Sequence, residues 1–258
     1  MARLGKVGIV QYDSLLCNSS ASYAWATAKQ NFLWTKRHGY VLAAYCIQSC
    51  RHGLFGTLHP AWCKLVAIAH ALKSNRFDTL LYLDSDAVWL DTSVPLDVLA
   101  DEFLYPGDWE QGSIFFGCNG RFNGSWNFEA LNAERGPANS GVMLIKNSRF
   151  ARDMVWAWWG RPWGHQEEFA HSWGALSDEG YVHRYRHKYR FRNGWEQGML
   201  WHMWADPAIA SGLRVLANPR SRECMWAMEG QRRTTPPSPL LHMCSRNRKF
   251  REDRLGSI

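Results

Sequence analysis

The sequence predicts an α/β fold with a largely parallel central sheet flanked by helices. Three observations carry this expectation. Strand-like apolar runs and helix-like amphipathic runs alternate through the first third of the 258 residues. The run Leu80-Leu81-Tyr82-Leu83 is continuously apolar, as expected of a strand covered on both faces. It leads directly into Asp84-Ser85-Asp86, two carboxylates just past a strand's carboxyl end, which is where open α/β sheets place their ligands.

Taken in order, residues 6–12 (KVGIVQY) read as a first strand ending at Asp13. Residues 23–37 have a helical pattern, closed by Gly39 as a C-cap. Residues 40–46 form a second strand, and Pro60 opens a second helix in the favoured first-turn position. Its apolar face is read as Trp62, Leu65, Val66, Ala69 and Leu72. The strand leading to Asp84 follows, and strand-helix-strand-helix-strand implies parallel pairing with right-handed crossovers. Beyond about residue 105 the order changes. Gly, Asn and aromatic residues fill 106–138 around a strand at 113–116, and 139–146 (NSGVMLIK) is the next clear strand. Helices at 150–159 and 194–204, a Pro-rich break at 234–239 and a short strand at Leu240 and Leu241 complete the chain.

Composition narrows the function classes. A net charge of +7, much of it at 184–192 and 246–254, points to acidic partners such as phosphorylated metabolites, nucleic acid or anionic membrane. No zinc finger, RNA-binding signature or basic zipper is present, so nucleic acid is not an expected partner. The seven cysteines, at 17, 46, 50, 63, 118, 224 and 244, are odd in number and include no CxxC pair, which argues against a disulfide framework and structural zinc. No secretory signal or membrane-spanning apolar run is read. The chain is therefore expected to be soluble. Asn18-Ser19-Ser20 and Asn123-Gly124-Ser125 fit the N-glycosylation pattern. Most of the 15 Trp are expected to pack, and a few to stack on sugars or a base.

Asp84 and Asp86 form a hard, anionic oxygen site suited to Mg²⁺ or Mn²⁺, with a phosphate-bearing ligand on the metal. Asp84-Ser85-Asp86-Ala87-Val88 also fits the nucleophile motif of haloacid-dehalogenase-type phosphatases. That motif normally lies on the first strand and is followed by an acidic pair; here it lies on the third, without one.

Further blocks follow in order: His59-Pro60-Ala61-Trp62-Cys63-Lys64, Asn139-Ser140-Gly141-Val142, Trp195-Glu196-Gln197 and Leu241-His242-Met243-Cys244. Together with Leu81 to Asp86 they resemble the metal-dependent glycosyltransferases of the GT-A fold, most of all the retaining galactosyl- and xylosyltransferases and glycogenin-like families. The resemblance spans roughly residues 5 to 250 and implies a single domain over 1–258. Residues 1–105 would hold nucleotide and metal, and 106–258 the donor sugar and the acceptor. It implies that Asp84, Asp86 and His242 hold Mn²⁺ or Mg²⁺, the imidazole favouring Mn²⁺. Lys64 and Ser85 would meet the donor, as would one of Arg246, Arg248 or Lys249 at its diphosphate; Asn139 and Gly141 would shape the sugar pocket. Gln11, Tyr12 and Asp13 would touch the base. Glu196 and Gln197 would lie on the sugar face opposite the leaving group, with Gln197 steadying an oxocarbenium-like cation. The implied donor is a UDP-sugar (galactose, xylose or glucose), transferred with retention to a glycan or glycoside hydroxyl. Relatives are commonly Golgi-lumenal with an N-terminal anchor, so the compartment is either cytoplasm or Golgi lumen. Two rival readings remain: a Mg²⁺-dependent phosphatase, and an inactive glycan-binding protein.

Overall fold

The structure, a computed structural model, describes residues 4–17, 23–53, 56–104, 106–118, 138–160, 196–204, 206–216, 227–228 and 240–242. The basic runs at 184–192 and 246–254 lie outside these, as do most of the 106–138 loop, both glycosylation triplets, the Pro-rich break and Arg246, Arg248 and Lys249.

The first half runs β1 (Val7–Tyr12), α1 (Tyr23–His38), β2 (Val41–Tyr45), β3 (Arg51–His52), β4 (Gly56–Thr57), α2 (Cys63–Lys73), β5 (Thr79–Asp84) and β6 (Ala87–Trp89). Next come α3 (Leu96–Phe103), α4 (Asp108–Gln111), β7 (Ile114–Cys118), β8 (Ala138–Lys146) and α5 (Arg149–Trp159). The described remainder is α6 (Glu196–Met203), α7 (Pro207–Ala210), β9 (Leu213–Val215), β10 (Ala227–Met228) and β11 (Leu240–His242). Elements expected from the sequence recur within a few residues of their read bounds.

The main sheet has the order β2-β1-β5-β8-β7-β9. β2, β1 and β5 are parallel, β8 runs antiparallel between β5 and β7, and β9 is parallel to β7. From β1 the chain crosses through α1 to β2 on one side and then through α2 to β5 on the other. The gap between the carboxyl ends of β1 and β5 is therefore a topological switch point. A small sheet, β10-β11-β6, sits beside it, with β11 antiparallel to β6.

Alternation along the strands supplies two cores, one on each face. Val10, Leu80, Tyr82, Met143 and Ile145 pack with α2 and α5 residues Leu65, Ile68, Leu72, Met154 and Trp158. Val7, Ile9, Leu81, Leu83 and Leu144 pack with Trp34 of α1 and Leu96, Leu99 and Phe103 of α3. With both faces covered, β1 is buried along its whole length, Gln11 included, which is why it shows no alternation of apolar and polar residues. Packing accounts for most described Trp: Trp34, Trp62, Trp89 and Trp158 are fully buried, and Trp34 stacks on Trp89 at 3.7 Å between ring centroids.

Local chemistry explains the helix ends. Gly39 at φ 70° follows α1, and the Tyr40 N–H returns to the Thr35 carbonyl at 2.9 Å, a Schellman closure. The Ser148 side chain caps α5 by accepting from the Ala151 N–H. Pro60 opens a 3-10 turn over Pro60–Trp62 before α2 begins.

Two expectations are corrected. The inward face of α2 is Cys63, Lys64, Leu65, Ala67, Ile68, Ala71 and Leu72, whereas Val66 is exposed. The cysteines do form disulfides: Cys17–Cys46 and Cys50–Cys63, with Cα separations of 5.0 and 5.4 Å. The β1–β2 ladder causes the first pairing. It aligns Tyr12 with Tyr45, so the segments leaving both strand ends emerge side by side.

Candidate active site at the β1/β5 switch point

The site is built around one buried lysine. Lys64, in the first turn of α2 and only 4% exposed, extends its ammonium to Asp84 Oδ1 at 2.9 Å and Glu196 Oε1 at 2.8 Å. Asp84 terminates β5 and Glu196 opens α6, so three elements far apart in sequence converge on one cation. Ser140 Oγ of β8 donates to the same Glu196 oxygen at 2.8 Å, and Tyr82 OH donates to Asp84 Oδ1 at 2.7 Å. Burial opposes protonation of Lys64, but the two carboxylates outweigh it and hold the ammonium well above the usual lysine range. Tyr82 is likewise raised well above an ordinary phenol, first by burial and then by Asp84.

β1 supplies the opposite wall. Gln11 is fully buried, and its Nε2 donates to the Asp84 carbonyl at 3.4 Å. Tyr12 is pushed up to about 12, first by burial and next by Asp13. The Asp13 carboxylate accepts from the Leu15 N–H at 2.7 Å and from Tyr23 OH at 3.2 Å. Tyr23 OH also lies 3.4 Å from Ser85 Oγ, and Thr27 Oγ1 donates to the Ser85 carbonyl. The β5–β6 turn is pinned once more by Asn31, which donates to the Ala87 carbonyl at 2.9 Å and accepts from the Trp89 N–H at 2.9 Å. Within that turn Asp86 is buried.

β8 contributes a register shift. Opposite Phe116 and Gly117 its pairing jumps from Met143 to Asn139. Asn139 Oδ1 accepts from the Gly141 N–H at 2.7 Å. This bulge takes Ser140, Gly141 and Val142 out of the β7 ladder beside the carboxyl end of β5.

The structure thus brings together Gln11, Tyr12, Asp13, Lys64, Asp84, Ser85, Asp86, Asn139, Gly141 and Glu196 around one end of the sheet. His242 is placed by backbone register, opposite Ala87, one residue from Asp86. Its side chain and that of Gln197 lie outside the described residues, as do Arg246 and Lys249. Among the described residues no group of three or more His, Cys, Asp or Glu forms a metal cage. Buried polar atoms with no hydrogen-bond partner there include Tyr12 OH and Glu196 Oε2.

Sequence reasoning missed Thr27, Asn31, Tyr82 and Ser140. A signal for the first two was present, since polar residues four apart share the inward stripe of α1 with Ala24, Ala28 and Trp34.

No protein-family profile matches the chain. No curated protein matches its sequence either. Among solved structures, the fold is similar to a glycosyltransferase involved in the glycosylation of the major capsid of PBCV-1. That match has a TM-score of 0.57 at 15% identity, over 98% of this chain and 100% of that one. Looser likenesses are to the galactosyltransferase LgtC, at TM-score 0.44 and 14% identity over 97% and 96% of the two chains. The glycosyltransferase GlyE of Streptococcus pneumoniae matches at 0.46 and 13%, over 98% of this chain and 60% of that one. The central sheet, with its helices on both faces and its switch point at β1/β5, is that of a GT-A fold.

Proposed function

We propose that the protein is a metal-dependent glycosyltransferase that moves a sugar from a nucleotide diphosphate, read as UDP, to a glycan or glycoside hydroxyl. The observation that carries this is Lys64, buried between Asp84 and Glu196 at the switch point of a GT-A sheet. Burying Lys64 and Glu196 with Asp84 at their rim is unfavourable unless the geometry is good, so such a cluster at a ligand-binding edge marks function more than stability.

The donor set suits a hard divalent cation, Mn²⁺ or Mg²⁺. Asp84 and Asp86 offer carboxylate oxygens on one turn, and the backbone of His242 runs beside Ala87. Bound there, the metal would neutralise charge developing on the departing diphosphate. Lys64 adds a permanent positive charge to the same end of the sheet and orients Asp84 and Glu196. The base is assigned to Gln11, Tyr12 and Asp13, and the unpartnered Tyr12 hydroxyl is a ready hydrogen-bonding group for it. The sugar is assigned to Asn139 and Gly141 at the β8 bulge and to Glu196, whose second carboxylate oxygen has no protein partner among the described residues. Lys64 and Ser140 draw charge from Glu196, which makes it an orienting acceptor rather than a nucleophile. Retention is therefore assigned to front-face attack, and the role of steadying the cationic sugar is assigned to Gln197. The diphosphate falls to Arg246, Arg248 or Lys249.

The test is transfer or hydrolysis of a panel of UDP-sugars with Mn²⁺ or EDTA. We expect turnover with one UDP-sugar, its loss in EDTA, and its loss in Asp86→Ala with the thermal midpoint preserved. Unchanged turnover in Asp86→Ala contradicts the proposal. Hydrolysis of p-nitrophenyl phosphate without sugar transfer would favour the phosphatase.

A further inference from the structure

The outer face of α1 is unusual for a solvent-facing helix. Its inward residues, Ala24, Thr27, Ala28, Asn31, Trp34 and Thr35, are buried against the sheet and the β5–β6 turn. Outward, Trp25 is 42% exposed, Phe32 50% and Leu33 51%. Lys29, Lys36 and Arg37 are exposed on the same side. At helical spacing Phe32, Trp25, Lys36, Lys29 and Leu33 fall within an arc of about 100°. Between Trp25 and Lys36 the strip is about 17 Å long. No residue of α1 is acidic, and Lys29, Lys36 and Arg37 form no ion pair with any described residue.

We propose that this face docks on an anionic lipid bilayer. Aromatic and cationic side chains alternate along one strip rather than separating into an apolar patch and a basic patch. A membrane interface satisfies both at once. Indole and phenyl rings enter the headgroup region, while lysine and arginine stems lie along the apolar boundary with their charges on lipid phosphates. An acidic protein surface would satisfy the cations but offer the rings nothing comparable. A second copy of the chain would bring the same three cations face to face. The strip also begins at the rim of the candidate site: Tyr23 and Thr27, flanking Trp25, hold Asp13 and Ser85. Docking would therefore hold the Asp84–Asp86 end of the sheet near the bilayer, whatever that site transfers.

The experiment is co-sedimentation of the full chain with phosphatidylcholine vesicles, with and without phosphatidylglycerol, at low and high salt. The variants are Trp25→Ser/Phe32→Ser and Lys29→Gln/Lys36→Gln; all four side chains point outward, and thermal midpoints confirm folding. Wild type is expected to bind the phosphatidylglycerol vesicles, to leave pure phosphatidylcholine unbound, and to release in high salt. Each double variant is expected to lose roughly tenfold or more in apparent affinity. Failure of wild type to bind overturns the proposal. So does equal binding by either variant, which would move the contact to another basic surface. A dimer in sedimentation equilibrium that dissociates in the Trp25 variant would assign the face to a second copy instead.

Discussion

Lys64 concentrates most of the site's energetics in one side chain. Its removal strands the buried Glu196 carboxylate beside the partly exposed Asp84, and leaving a buried charge unpaired is strongly destabilising. Lys64→Met should therefore lower unfolding stability by about 3–5 kcal/mol in urea titrations. Adding Glu196→Gln should recover part of that loss, because one of the two stranded charges is gone. Additive effects would mean that the two side chains are not coupled. A second prediction concerns pH. Tyr12 has its pKa raised from 10.0 to about 12, so the fold favours the neutral phenol. That contribution is fully present below pH 10 and is lost as pH rises towards 12, with Tyr82 acting in the same direction. Unfolding free energy should fall with pH across this window, and Tyr12→Phe should flatten the fall. Because Tyr12 OH is buried without a partner, the same variant should be no less stable than wild type at neutral pH.

At the level of elements, close packing and covalent links make their own predictions. A Cβ on Gly8 of β1 would stand 2.7 Å from the Phe77 ring, so Gly8→Ala should cost about 1–3 kcal/mol, read as a lower urea midpoint. Cys50–Cys63 closes a loop over a sequence separation of 13 and anchors the residue next to Lys64. Cys50→Ser/Cys63→Ser should lower stability by about 2–4 kcal/mol, and a reductant should have little further effect through that bond. What was legible at this scale followed from periodicity. The β1–α1–β2 and α2–β5 units announced themselves by short apolar runs and by Gly39 and Pro60. The reversed direction of β8 did not, since an apolar run reads the same either way. The Cys17–Cys46 pairing was also invisible, because it depends on the β1–β2 register and not on cysteine spacing. The burial of Lys64 had a signal that was passed over: Ile68 and Ala71 stand four and seven residues on, along one helical stripe. The bulge at Ser140–Val142 needed the partner strand β7 to become apparent.

For the whole molecule, the parallel β2-β1-β5 half positions the chemistry. β8 and α6 close it from the other side by delivering Ser140 and Glu196. The acidic pair at the end of β5 was the most readable part of the candidate site, because strand ends at a switch point are where such folds place ligands. The convergence of α2, β5, β8 and α6 on one ammonium required the folded chain. The central claim is that this convergence is a metal-assisted nucleotide-sugar site, and nucleotide binding tests it most directly. The measurement is a thermal-shift titration of the full chain with UDP and with GDP, each in Mn²⁺ and in EDTA. At a hundredfold excess over Kd, a ligand that binds only the folded state adds about 2.7 kcal/mol, a shift of roughly 5–10 °C for a chain of this size. The account predicts that shift with UDP in Mn²⁺, little with GDP, and its loss in EDTA and in Asp86→Ala. No shift with either nucleotide, or a shift with UDP that persists unchanged in EDTA and in Asp86→Ala, would contradict it.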